Sequence, residues 1–213
     1  MKKEILMVLL PLFADWEAAF TSATLNDQIQ NKKSAYFVKT VGITKDPIKS
    51  IGGLTVLPDY SIADVPDNYS ALLLIGGMSW CTKDRKPTEM AQKLLPFVQS
   101  AIDKSILVGG ICDASTFLGA NGWLNDKMHT SNTLADLKRV AGKTYTNESN
   151  YIEHQAVQHE NVVTANGTAY LEFTKEVLLA LKAYPKEDVE THYDFYKSGY
   201  YEAIKKHHIA KGI

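Results

Sequence analysis

Ile106-Leu107-Val108-Gly109-Gly110-Ile111-Cys112-Asp113-Ala114-Ser115 decides the fold. An apolar, β-branched run reads as a buried strand, and the residues after Cys112 read as a helix start. A thiol at a sharp strand-to-helix turn is the layout of a nucleophile elbow, which pushes one side chain out at the carboxyl edge of a sheet. Unpaired N–H groups at the helix start favour a thiolate there. A cysteine after a strand is also commonly just a small buried hydrophobe, so the elbow needs neighbours that serve the same chemistry.

Working outward, residues 4–10, 35–41 and 71–75 read as strands, with a Gly52-Gly53 turn and a short strand within 51–57. Helical spacing appears over 14–30, with Asp15 as a possible cap, and over 88–102, where Pro96 is expected to kink the helix. A helix from Ala114 ends at Gly119-Ala120-Asn121-Gly122, and another covers 134–140. Residues 156–165 read as strand, turn and strand, and 169–183 as an amphipathic helix. Pro185 then breaks the chain. Residues 188–208, rich in Tyr and Lys, read as one or two added helices, so the expected division is a main domain over 1–184 and a helical extension over 185–213, packed on the domain or on a second subunit. Strands alternating with helices predict an α/β, three-layer sandwich: a mostly parallel central sheet with helices on both faces. Sites in such sheets lie at the carboxyl ends of the strands. Phe13–Glu17, Gly76–Trp80 and Cys112 fall there.

The bulk numbers exclude several classes. With 213 residues the chain builds one sizeable core, and 23 basic against 24 acidic residues leave a net charge of −1. Neither a nucleic-acid nor a membrane partner is expected from that balance. Lys2-Lys3 ahead of an apolar run has the outline of a leader, but Asp15 and Glu17 follow with no small-residue cleavage site, so a first strand is read instead. Two cysteines, Cys81 and Cys112, make no disulfide framework, and a reducing cytoplasm is expected. No Cys/His spacing suits zinc, so no metal is expected, and a lyase or hydrolase working through the thiol would need no cofactor.

A nucleophilic thiol needs a group that favours the thiolate, donors for an oxyanion, and a proton carrier. The Gly76-Gly77 pair lets backbone N–H groups approach a reacting oxygen, and the N–H of Asp113 completes the set. Glu17 is the candidate proton carrier. A carboxylate beside a thiolate is disfavoured by like charge, so the pair is expected to share a proton or to carry a raised Glu17 pKa. Each feature also has a plain structural reading: a strand-to-loop turn for the glycines, a solvated first-turn residue for Glu17, packing for Cys81. Trp80 either walls a pocket or caps the core.

These residues, taken in order, resemble the DJ-1/PfpI (ThiJ) family of the class I glutamine amidotransferase-like superfamily. Phe13-Ala14-Asp15-Trp16-Glu17 resembles the segment carrying the family's acidic residue. Leu57-Pro58-Asp59-Tyr60-Ser61-Ile62-Ala63-Asp64-Val65 resembles the stretch before the central strand, and Leu72-Leu73-Leu74-Ile75-Gly76-Gly77 its glycine pair. Ile111-Cys112 matches the elbow, and Gly167-Thr168-Ala169-Tyr170-Leu171-Glu172-Phe173 the start of the last core helix. The resemblance, over about residues 4–183, implies a flavodoxin-like sandwich, commonly dimeric, with a Cys–Glu pair in a shallow pocket. It implies a small electrophile or an oxidant as partner, in glyoxalase III-type or deglycase enzymes, or a stress-response redox sensor or chaperone. The family places a histidine directly after the cysteine or in a later Thr-x-His pattern; here those places hold Asp113 and, in His129-Thr130-Ser131-Asn132, Asn132. His129 lies three residues earlier, on the opposite side of an extended strand, and reaches a site only if the segment is irregular. Peptidase and glutaminase activity are therefore not expected. Three readings stay open: Cys112 and Glu17 acting on small carbonyl compounds, an oxidisable sensor cysteine, or an interaction role for the Tyr-rich tail.

Overall fold

Six parallel strands and one antiparallel edge strand form the central sheet, and the apolar alternation of its first strand explains the layers around it. The computed structural model describes residues 3–29 and 32–207. Strand β1 (Lys3–Val8) sends Ile5 and Met7 to one core and Leu6 and Val8 to the other, as a period of two requires. The other sheet strands are β2 (Tyr36–Gly42), β3 (Tyr60–Ser61), β4 (Ala71–Leu74), β5 (Leu107–Ile111), β6 (Ala156–His159) and β7 (Val162–Ala165). Their order is β6-β7-β5-β4-β1-β2-β3, and only the β6–β7 pair is antiparallel. Residues Ile48–Lys49 and Thr55–Val56 form a separate small hairpin.

Helices cover both faces. One core holds Leu25 of α1 (Asp15–Asn26) together with Phe173 and Val177 of α6 (Tyr170–Leu181). On the other side lie α2 (Glu89–Gln92), α3 (Leu95–Asp103) and α4 (Asp113–Ala120), which contribute Ala91, Val98, Phe117 and Leu118. Helix α5 (Leu134–Ala141) packs its Leu137 beside α4. The expected sandwich is the observed one, with element ends within a few residues of the sequence reading.

Three local readings need correction. Residues 88–102 form two helices, not one kinked helix. Thr88 Oγ1 caps α2 by accepting from the Ala91 N–H at 3.1 Å. Pro96 lies in the first turn of α3, where a missing N–H breaks no helical bond, so it starts a helix rather than bending one. Asp15 caps nothing: α1 has no side-chain cap, and the Asp15 carboxylate instead accepts from the Ser50 hydroxyl and from the Gly52 N–H at 2.8 Å. The first helix also ends at Asn26, short of the expected Gln30, which lies outside the described residues.

The terminal segment forms α7 (Lys186–Ser198) and α8 (Tyr200–His207), separated at Gly199. Helix α7 packs on its own chain, with Tyr196 edge-on to Phe20 at 4.7 Å and Tyr193 donating to Glu172 at 2.8 Å. His207 meets Asp194 at 2.8 Å.

Candidate active site

The carboxyl edges of β1, β4 and β5 meet at Cys112. The cysteine has φ 60° and ψ −132° and immediately precedes α4. A side chain in that region of backbone space is strained by about 1–3 kcal/mol, and such strain persists only where its surroundings hold it. Here the Cys112 N–H donates to Ala165 O at 3.0 Å, and the Ser115 hydroxyl donates to Cys112 O at 2.6 Å. The turn leaves the thiol half-buried at the floor of a cleft of about 420 Å³, walled by Trp16, Met78, Cys81 and Arg85.

Glu17, in the first turn of α1, is completely buried. Its Oε2 accepts the Gly76 N–H at 2.8 Å, while Oε1 has no hydrogen-bond partner. A β-carbon on Gly76 would lie 2.4 Å from Cys112 Cβ and 2.6 Å from Glu17 Oε2. Only glycine lets strand, thiol and carboxyl approach this closely. Burial raises the Glu17 pKa, against the pull of the Gly76 N–H and of the Cys112 thiol, and the Asp113 charge adds to the rise. Burial also raises the Cys112 thiol, and a charged Glu17 raises it further. The sequence predicted a thiolate favoured by the helix start. In the structure Asn132 and the Asp113 N–H do favour the charged sulfur, but burial and the carboxylate outweigh them. The pair therefore resists carrying two charges.

The other candidates divide. The Gly76 N–H, expected as an oxyanion donor, is donated to Glu17 instead. Gly77 lines the cleft, and among the described residues its N–H meets no acceptor. It sits at φ 146°, where a β-carbon would come 2.3 Å from Leu12 O. The Asp113 N–H favours the charged form of the sulfur. Asn132 Nδ2 approaches Cys112 Sγ at 3.5 Å and donates to Asp113 Oδ1 at 3.2 Å, while its Oδ1 accepts the Gly167 N–H at 2.9 Å. Trp80 walls no pocket. It is wholly buried against Phe117, with its indole N–H on Ile75 O at 2.8 Å. The tryptophan at the cleft is Trp16, half exposed, donating to Gly167 O at 3.1 Å. His129 does not reach the thiol. Its Nδ1 lies 2.8 Å from Lys127 O and its Nε2 2.8 Å from the Tyr145 hydroxyl, and burial lowers its pKa. Burial pushes Cys81 up to about 11, so it is no second nucleophile at neutral pH.

Two residues escaped the sequence reading. Gly167 flanks the thiol so closely that a β-carbon would sit 2.9 Å from Sγ. Arg85 binds the Asp113 carboxylate in two places, at 2.6 and 2.9 Å. A signal for it existed: an acid placed beside a thiol calls for a cation, and the chain has only two arginines, Arg85 and Arg139. Among the described residues no group of His, Cys, Asp and Glu is placed to hold a metal ion, and no helix is long and apolar enough to cross a membrane.

A cysteine on a strained elbow, a buried glutamate against the glycine turn of the neighbouring strand, and a mostly parallel sandwich together define an elbow-cysteine α/β protein. The chain belongs to the DJ-1/PfpI family, whose model matches residues 3–180. It is 36% identical over 206 residues to the uncharacterized protease YdeA of Bacillus subtilis (strain 168), covering 96% of each chain. It is 25% identical over 143 residues to the glutathione-independent glyoxalase DJR-1.2 of Caenorhabditis elegans, covering 66% of this chain and 71% of that one. Among solved structures, the thiJ/pfpI family protein from Bacillus anthracis superposes with a TM-score of 0.86 at 30% identity, over 97% of this chain and 95% of that one.

Proposed function

We propose that this protein converts small 2-oxoaldehydes to 2-hydroxy acids, with Cys112 as nucleophile and Glu17 as proton carrier. The observation that carries the reading is the unpartnered, buried Oε1 of Glu17 beside the thiol. Oε2 is an acceptor for Gly76, so the proton of a neutral Glu17 belongs on Oε1, facing the chemistry. Sulfur adds to the aldehyde carbon, and the carbonyl oxygen, steadied by the Gly77 N–H, takes the Oε1 proton to give a hemithioacetal. The resulting carboxylate removes the C1 proton and returns it to C2 while the proton of the C1 hydroxyl passes to the C2 oxygen, leaving a 2-hydroxyacyl thioester. Water releases the acid and the thiol. The glyoxalase named among the relatives supports this class. We do not assign peptidase chemistry, because the place of a base is taken by Asn132 and His129 is held by Tyr145. The reading includes a reducing, cytoplasmic setting, in keeping with two free thiols, and a homodimer, which sedimentation velocity tests.

A second reading rests on the donors around sulfur. The Asp113 N–H, Asn132 Nδ2 and a protonated Glu17 would each bond a sulfinate oxygen, so Cys112 oxidised by peroxide would be held at that stage. One experiment separates the two. Turnover of methylglyoxal that disappears in Cys112→Ala and Glu17→Gln supports the enzyme. No turnover, with a gain of two oxygens on Cys112 under mild peroxide, supports the sensor. If neither turnover nor the gain of two oxygens is seen, both readings are overturned.

A further inference from the structure

We infer that Arg85 is a positioning residue for Cys112: by clamping Asp113 it offsets part of the charge that the elbow places beside the thiol and orients the Asn132 amide on the sulfur. Asp113 is an unfavourable neighbour for a nucleophilic cysteine, since its carboxylate opposes both a thiolate and an ionised Glu17. The structure answers that charge specifically. Arg85 Nη1 and Nη2 donate to the two Asp113 oxygens at 2.6 and 2.9 Å, the fork-to-fork geometry that binds a carboxylate most firmly. Its Nε donates to Asp136 Oδ1 at 3.0 Å, and Asp136 also accepts from Arg139 at 2.8 Å. Both arginines of the chain thus offset two aspartates. The Arg85 and Asp113 side chains are 19% and 14% exposed, which limits screening by solvent.

The clamp reaches the sulfur through Asn132. Asp113 Oδ1 receives both Arg85 Nη2 and Asn132 Nδ2, and Nδ2 is the amide group that approaches Sγ. Arg85 sits on the tight turn 82–87 at φ 60°, a conformation rarely adopted by a residue with a β-carbon. The turn closes on itself through the Arg85 N–H to Thr82 O at 2.9 Å and the Thr82 N–H to Lys86 O at 2.8 Å. Strain at the one residue that carries the clamp is what a fixed position for its guanidinium entails. The groups facing the thiol are Glu17 from α1, Asp113 from α4, Arg85, Lys83 and Cys81 from the cleft wall, with Asp136 and Arg139 of α5 behind them. The clamp serves either reading of Cys112 and depends only on its being the reactive thiol.

The test is the rate of Cys112 alkylation by iodoacetamide against pH, read by peptide mass spectrometry. Arg85→Met should move the midpoint up by about one to two pH units, the size of an uncancelled charge at this range. Arg85→Lys should recover part of the shift, and Asp113→Asn in the Arg85→Met background should recover most of it. A purely structural Arg85 would leave the double variant as slow as the single one. Where Arg85→Met does not fold, Asp113→Asn alone decides: removing the acid while keeping the arginine should lower the midpoint. A profile unchanged in Arg85→Met, a double variant without rescue, or an Asp113→Asn midpoint that stays or rises overturns the inference.

Discussion

Replacing Glu17 by Gln tests the central claim that a neutral carboxyl is built into this core. Glu17 is wholly buried, its Oε2 meets one N–H, and its Oε1 meets none. Its pKa is raised above 4.5 mainly by burial. Between its unfolded and folded pKa the native protein keeps a proton that the unfolded chain has released, so stability falls as pH rises through that interval. The slope for one such group is about 1.4 kcal/mol per pH unit, or about 2.7 kcal/mol between pH 5 and 7. Gln keeps an acceptor for the Gly76 N–H and has no such slope. Urea unfolding under reductant at pH 5, 6 and 7 should therefore show the variant gaining on the wild type by up to that amount as pH rises. Taking the difference cancels groups common to both chains. A difference that stays flat from pH 5 to 7 would refute the neutral buried carboxyl. The variant should label at Cys112 at close to the wild-type rate at pH 7 and faster only at higher pH, where the wild-type carboxyl ionises and opposes the thiolate.

Gly76→Ala should abolish Cys112 labelling at neutral pH and destabilise by about 1–3 kcal/mol or more, since its β-carbon meets Cys112 Cβ and, at 2.7 Å, the backbone oxygen of Ile111; urea unfolding and labelling read both effects. Trp80→Ala should lower stability by about 3–5 kcal/mol in chemical denaturation, as a wholly buried side chain against Phe117 would. His129→Gln should cost about 1–3 kcal/mol through its buried hydrogen bonds yet leave the Cys112 pH–rate profile unmoved, and a shifted profile would place His129 in the site after all.

The architecture was legible because its signals are local and periodic. Leu72, Leu73 and Leu74 alternate between the two cores exactly as a buried strand must, and Gly76-Gly77 marks the strand's exit. Glu17 and Cys112 are legible through short motifs whose positions on elements carry chemistry, and Asn132 only through the family resemblance, as the residue standing where a histidine is expected. What stayed hidden depends on contacts between distant segments. Nothing local separates Trp16 from Trp80, yet one faces the cleft and the other fills the core. Asp15 looked like a cap because caps are read from neighbours in sequence, whereas its partners are Ser50 and Gly52. Arg85 stood in a run of charges, Lys83-Asp84-Arg85-Lys86, with nothing to single it out until Asp113 came within reach.

The missing histidine changes what the site can do. A Cys–His pair can form a thiolate and an imidazolium that stabilise one another, whereas a Cys–Glu pair cannot hold two charges of the same sign in a buried cleft. Protonation of Glu17 is therefore the condition for a thiolate at Cys112, and the reactive state contains one proton shared by two groups. Such a pair suits chemistry in which the proton goes to an oxygen formed on the sulfur's own target, as in addition to a carbonyl. It suits peptide cleavage poorly, because the leaving amine must be protonated by a group that can reach it, and Oε1 is enclosed beside the thiol with no relay among the described residues. The arginine across the elbow aspartate fits the same reasoning: without it the Asp113 carboxylate would add more fully to the opposition that an ionised Glu17 exerts on the thiolate.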